Sequence, residues 1–165
     1  MRIAMIGTGY VGLVSGACVA EFRDDVTCVD KAADKIAMLE AGRIPIYEPG
    51  LDDLVARHRA GGRLRFTSAL EPALEGADAI FIAVGTPTRR GDGHADLSYV
   101  FAAAEEIARG LDHPALVVTK STVPVGTGRR LQRLFRELRP DLPIDVASNP
   151  EFLREGSAIE DFLRP

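Results

Sequence analysis

Arg2-Ile3-Ala4-Met5-Ile6-Gly7-Thr8-Gly9-Tyr10-Val11-Gly12 opens the chain, and Val29-Asp30 closes the next apolar run. The first five residues, mostly apolar and bounded by glycine, read as a buried parallel strand, and Leu13 to Glu21 continues as a helix. Between them the glycines keep a Gly-x-Gly-x-x-Gly spacing, and each has its own task. Gly7 permits the tight turn out of the strand, Gly9 lets the backbone approach a pyrophosphate, and Gly12 lets helix and strand pack closely. The unpaired N–H groups at the helix start then favour an anion by about 0.3–2 kcal/mol. A second strand, Asp25 to Val29, ends in Asp30, an acid at the distance that a dinucleotide pocket requires. A glycine triplet alone is a weak sign; strand, triplet, helix, strand and acid in this order point to a dinucleotide.

Asp30 also selects the cofactor. A carboxylate at the end of the second strand accepts hydrogen bonds from ribose hydroxyls and repels a 2′-phosphate, so NAD is expected rather than NADP. Lys31 and Lys35 leave two readings, cations that tolerate a phosphate or solvated residues at the start of the next helix.

The chain has 165 residues, enough for one domain with its own core and hardly for two. A net charge of −4, with acids and bases interspersed, argues against binding to nucleic acid or an anionic membrane. Glycines interrupt the apolar start, so it is no secretory leader, and no window approaches a membrane span. A cytoplasmic protein is expected. Cys18 falls in the first helix and Cys28 in the second strand; both read as small buried hydrophobes, with no disulfide and no metal site.

Further along, helices are expected over Ala33 to Ala41 and Leu51 to Ala60, flanking a rigid turn with two prolines, Arg43 to Gly50, whose apolar residues pack on the body. Leu64 to Thr67 reads as the third strand, and Ser68 as the cap of a helix ending near Gly76. Ala79 to Val84 is the strongest strand, stopping at Gly85-Thr86-Pro87-Thr88. Thr86 can offer its hydroxyl to a cofactor there. Arg89 to Asp96 is a polar loop. A helix from Leu97 to Gly110 places Val100, Ala104 and Ile107 on one side, with Leu111 just beyond. The fifth strand, Ala115 to Thr119, ends in Lys120-Ser121-Thr122-Val123-Pro124-Val125-Gly126-Thr127. A helix from Thr127 to Leu138 sets Leu131, Leu134, Phe135 and Leu138 toward the core and its arginines toward solvent. Ile144 to Ala147 is the sixth strand. Strands alternating with helices imply an α/β fold, a doubly wound, mostly parallel sheet with helices on both faces. One cleft along the strands' carboxyl ends then gathers Gly7 to Gly12, Asp30, Thr86, Thr122 and the segment from Ser148 to Glu155.

In that last segment, Ser148-Asn149-Pro150-Glu151-Phe152-Leu153-Arg154-Glu155, Asn149 suits an N-cap and Pro150 the first helical position. Glu151 and Glu155 then share a helix face beside Arg154. Two acids and an arginine at a nucleotide cleft suit proton transfer and phosphate or sugar contacts; spacing alone equally allows an exposed helical turn.

The chain resembles the nucleotide-sugar 6-dehydrogenases, in their NAD-binding half. The resemblance rests on Gly7-Thr8-Gly9-Tyr10-Val11-Gly12, Pro45-Ile46-Tyr47-Glu48-Pro49-Gly50-Leu51, Phe81-Ile82-Ala83-Val84-Gly85-Thr86-Pro87, Lys120-Ser121-Thr122-Val123-Pro124-Val125-Gly126-Thr127 and Asn149-Pro150-Glu151-Phe152-Leu153-Arg154-Glu155-Gly156-Ser157-Ala158-Ile159. It implies a Rossmann-like domain and oxidation of a sugar C6 alcohol to a carboxylate in two NAD-dependent steps, through a cysteine-bound thioester. UDP-glucose is the substrate that the resemblance favours; GDP-mannose or a UDP-N-acetylhexosamine is the alternative, and a non-catalytic NAD-binding module the other. It further implies that Gly7, Gly9, Tyr10, Val11, Gly12, Asp30, Lys35, Thr86, Thr122 and Glu155 meet NAD. Glu151, Phe152, Leu153, Arg154 and Glu155 would border the nucleotide sugar, with Glu151 as acid/base of the hydrolysis and Thr122 holding its water. Family members continue into a connecting helix and a second domain with the nucleophilic cysteine, and the complete enzyme is expected to be a homodimer. Cys18 and Cys28 do not match that nucleophile's motif, so 1–165 is expected to be an NAD-binding domain inactive by itself.

Overall fold

The computed structural model describes residues 1–89, 91, 93–150 and 152–164. Among them six strands, β1 Arg2–Ile6, β2 Asp25–Val29, β3 Leu64–Thr67, β4 Ala79–Ile82, β5 Ala115–Thr119 and β6 Ile144–Ser148, form one parallel sheet in the order β3-β2-β1-β4-β5-β6. The helices are α1 Tyr10–Glu21, α2 Ala33–Glu40, α3 Leu51–Ala60, α4 Glu71–Leu74, α5 Ser98–Gly110, α6 Thr127–Leu138 and α7 Ala158–Leu163. This is the doubly wound α/β arrangement expected from the alternation of patterns. No helix of the described residues is long and apolar enough to cross a membrane.

β1 lies at the centre because its side chains are apolar on both faces. Met5, in register with Cys28 of β2 and Phe81 of β4, joins one core with residues of α1, α2, α3 and Ala158 of α7. Ala4 and Ile6 join the other, with residues of α4, α5 and α6. Helix α1 rides low on the sheet because Gly16 presents no side chain; a Cβ there would lie 2.7 Å from Cys28 Sγ. Cys18 and Cys28 are both free and buried, and burial pushes each thiol up to about 12, so neither is a nucleophile at neutral pH.

Three expectations are corrected. Ser68 caps no helix: α4 spans only Glu71–Leu74, with Leu70 as its N-cap. A helix capped by Ser68 would put Pro72 at its fourth position, where the missing N–H is needed; starting at Glu71 leaves Pro72 in the first turn. Leu138 is 40% exposed, at the end of α6, while Leu131 and Phe135 are buried. No helix begins at Asn149-Pro150. The described residues 152–154 have no regular structure, a turn spans 155–157, and α7 starts only at Ala158. The hydrogen bonds of this stretch go to distant partners instead. Asn149 N–H extends the β6 ladder to Thr119 O at 3.0 Å, and Asn149 Oδ1 accepts from Lys120 Nζ at 2.8 Å, so both groups are engaged with β5 and its loop rather than with a helix start. Ile159, Phe162 and Leu163 of α7 are partly buried and pack against the α1-side core.

Candidate dinucleotide site

The strand order reverses between β1 and β4, and a cavity of about 610 Å³ opens at the strands' carboxyl ends at that point. Gly7 and Gly9 line it from the β1 loop, Asp30 and Lys35 from beyond β2, Val84 and Gly85 from beyond β4, and Tyr99 and Glu106 from α5. Each glycine of the β1 loop answers to a different neighbour. Gly7, at φ 107°, donates its N–H to Val29 O at 2.7 Å, and a Cβ on it would meet Ala83 O at 2.6 Å. A Cβ on Gly12 would lie 2.0 Å from Gly7 O. A Cβ on Gly9 would meet nothing within 4 Å. Gly9 has φ −69° and ψ −174°, which any residue adopts, so the fold itself does not require glycine there. What its bareness preserves is room beside the start of α1, whose first N–H groups have no intrahelical partner; this fits a pyrophosphate.

Asp30 sits at the rim in an unusual density of donors. Its Oδ2 accepts Thr8 N–H at 3.0 Å, the Thr8 hydroxyl at 2.6 Å and Lys35 Nζ at 2.9 Å, and its Oδ1 accepts Ala32 N–H at 3.1 Å. Burial alone would raise its pKa, but these hydrogen bonds, led by the Thr8 hydroxyl, outweigh it and hold the carboxyl at about 2. The acid is therefore ionised throughout the physiological range, as acceptance from ribose hydroxyls requires. Its folded pKa lies below the ordinary 3.8, so the stabilisation is complete above the ordinary value and is lost as pH falls toward 2. Urea titrations should show Asp30→Asn costing about 1 kcal/mol at pH 6, after screening of this part-exposed group, and narrowing to near zero by about pH 2. An equal gap at both pH values would contradict the assignment.

Lys35 pairs with Asp30 at the cavity. Lys31 pairs with Glu106 of α5 at 2.5 Å, across the cavity from the β2 end.

Other expected site residues fall in varied places. Tyr10 and Val11 are the first residues of α1, and their side chains pack against the α1-side core rather than line the cavity. Thr86 and Thr122 are brought together: the Thr86 hydroxyl donates to Thr122 O at 3.1 Å, and the Ser121 hydroxyl donates to Val84 O at 2.6 Å, fastening the β5 loop to the β4 loop. Glu151 lies outside the described residues. Phe152 is 86% exposed, Leu153 packs against the α1-side core, and Arg154 is held by Asp161 through bonds of 2.6 and 3.1 Å. Glu155 is exposed in the turn before α7. Glu155 stands in a turn rather than on a helix, and none of residues 152–155 lines the 610 Å³ cavity.

Two polar residues escaped the sequence reading. Thr8 is fully buried and supplies both amide and hydroxyl to Asp30; a hydroxyl between two glycines just after a strand was the available sign. Glu48, only 5% exposed, accepts the Tyr10 hydroxyl and two backbone amides near α7; an acid among apolar residues of a proline-rich turn was the sign.

A parallel sheet with its glycine loop and a strand-end acid on a shared cavity is the signature of a dinucleotide-binding domain. The chain belongs to the UDP-glucose/GDP-mannose dehydrogenase family, whose NAD-binding-domain model matches residues 1–165. The UDP-glucose 6-dehydrogenase of Rhizobium meliloti is 64% identical over 165 residues, covering all of this chain and 38% of the relative. Among solved structures, a UDP-glucose dehydrogenase from Pyrobaculum islandicum superposes with a TM-score of 0.93 at 46% identity, covering 99% of this chain and 38% of that one. GDP-mannose dehydrogenase from Pseudomonas aeruginosa, solved as a ternary complex, gives 0.92 at 37% identity, covering 98% of this chain and 38% of that one. The chain thus spans well under half the length of these relatives.

Proposed function

We propose that this chain is the cofactor-binding domain of an NAD-dependent UDP-glucose 6-dehydrogenase, an enzyme that converts the sugar C6 alcohol to a carboxylate and works as a homodimer. The observation that carries the cofactor assignment is the pairing of an open space at Gly9 with Asp30, its carboxylate held by four donors, on the same cavity. In this reading the amides at the start of α1 hold the pyrophosphate, Asp30 accepts the ribose hydroxyls, and Lys35 keeps Asp30 oriented. NAD, when bound, supplies the hydride acceptor. Thr86 and Thr122, already joined to each other, border the nicotinamide end, with Glu155 nearby. Glu151 serves as acid/base and Thr122 orients the water it deprotonates. Phe152, Leu153, Arg154 and Glu155 border the nucleotide sugar. The preference for UDP-glucose is supported by the 64% identity to the Rhizobium meliloti enzyme; a substrate panel run on a longer version that includes 1–165 would overturn it by preferring GDP-mannose.

Calorimetry tests the cofactor assignment. Asp30→Ala is expected to weaken NAD binding by about 1–3 kcal/mol, roughly 5- to 150-fold, the cost of removing a charge-assisted acceptor. Unchanged NAD affinity in a folded Asp30→Ala protein would remove Asp30 from the site.

A further inference from the structure

Glu48 does not line the cavity and is absorbed by none of the roles above, yet both of its carboxylate oxygens are engaged. Its carboxylate is 5% exposed, at the end of the proline-rich turn that leads into α3. Oε2 accepts the Tyr10 hydroxyl at 2.5 Å and Gly156 N–H at 2.8 Å, while Oε1 accepts Ala158 N–H at 2.8 Å. One side chain therefore joins the first residue of α1 to the turn that ends the 152–155 segment and to the first residue of α7. Gly156 stands at φ 88°, a left-handed conformation, so the backbone that offers this amide is held in a form most residues avoid.

A burial site for a carboxylate is an expensive way to hold three segments together. An ionised acid out of water costs several kcal/mol unless donors match its oxygens, and an apolar side chain could fill the same space. What the acid adds is directionality. Its bonds specify where Tyr10 Oη, Gly156 N and Ala158 N stand relative to one another, which packing alone does not. Tyr10 follows Gly9, which lines the cavity, and is itself the first residue of α1.

Resting on the reading of that cavity as the NAD site and of 152–155 as the border of the nucleotide sugar, we propose that Glu48 is a positioning residue coupling the two: a dinucleotide drawn onto the α1 start is registered, through Tyr10 and Glu48, at Gly156 and Ala158. The coupling runs both ways, since whatever fixes the 152–157 segment also fixes Tyr10.

Amide NMR on the full chain tests this with NAD as the probe. In the wild type, the Gly156 and Ala158 amide resonances are expected to move with the same saturation curve as Gly9 and Gly85. Tyr10→Phe removes one hydroxyl and keeps the ring; the response at Gly156 and Ala158 should then fall by about half or more, while Gly85 still responds in full. Glu48→Gln should speed hydrogen exchange at the Gly156 and Ala158 amides by about tenfold or more, because a carboxamide cannot accept all three bonds as an anion does. If that variant fails to fold, Tyr10→Phe decides alone. Gly156 and Ala158 amides that stay still while Gly9 moves, or a full response in Tyr10→Phe, would overturn the coupling and leave the NAD site intact. Gly9 and Gly85 amides that never move would instead overturn the NAD reading, and the coupling with it.

Discussion

Gly9→Val is expected to lose about 100-fold or more in NAD affinity, about 3 kcal/mol, while the protein keeps its fold. A Cβ at Gly9 meets no atom within 4 Å, and the backbone there is extended, so the substitution strains nothing in the folded chain. Gly9 is the N-cap of α1 with no side-chain cap to lose, so valine in its place costs at most about 1 kcal/mol, or about 2–4 °C in melting temperature for a chain of this size. The added methyls occupy the space in front of the α1 amides, where the pyrophosphate must come within hydrogen-bond distance. Calorimetry beside thermal melts separates the two effects. Retained affinity in Gly9→Val would show that no ligand approaches the loop at this point.

Gly12→Ala should do the reverse and destabilise the protein by about 3 kcal/mol or more, the upper end of overpacking costs. Its Cβ would lie 2.0 Å from Gly7 O, 2.9 Å from Gly7 C and 3.3 Å from Ala83 Cβ. The first two are backbone atoms, and the backbone cannot yield. Gly7 is pinned by its bond to Val29 O and by its own left-handed conformation against Ala83. Relief requires α1 to rise from the sheet, and Leu13, Val14 and Ala17, all fully buried, would rise with it. Urea denaturation gives the number; a loss below about 1 kcal/mol would mean that the helix start adjusts more freely than this packing allows. Two glycines three residues apart thus carry opposite signatures, one in binding and one in stability.

The contrast also marks what could be read from the chain alone. Strands β2, β3 and β5, and helices α3 and α6, have the bounds that apolar runs and glycine or proline stops imply, because local pattern and tertiary demand agree there. The glycine loop and Asp30 were legible for the same reason: a phosphate cradle needs particular residue types at particular spacing. Pattern failed where a side chain serves a distant partner. Asn149 reads as a helix cap, yet its amide oxygen is claimed by Lys120 and its N–H by Thr119, neither of which is near it in sequence. Thr8 and Glu48 were invisible as a pair of anchors for the same reason. Nothing local announces that Asp30 will bond to Thr8 or that Glu48 will reach Tyr10 and Gly156. The cavity wall from α5, Tyr99 and Glu106, depends on how that helix lies across the sheet, which periodicity does not give.

The central claim is that the sheet edge between β1 and β4 forms a site for NAD and discriminates against its 2′-phosphorylated form. Parallel calorimetric titrations of the wild-type chain with NAD and NADP test it most directly. One NAD is expected to bind per chain and NADP at least about tenfold more weakly, a difference of about 1.4 kcal/mol set by the Asp30 carboxylate. No binding of either by a chain shown to be folded, or NADP bound as tightly as NAD, would contradict it.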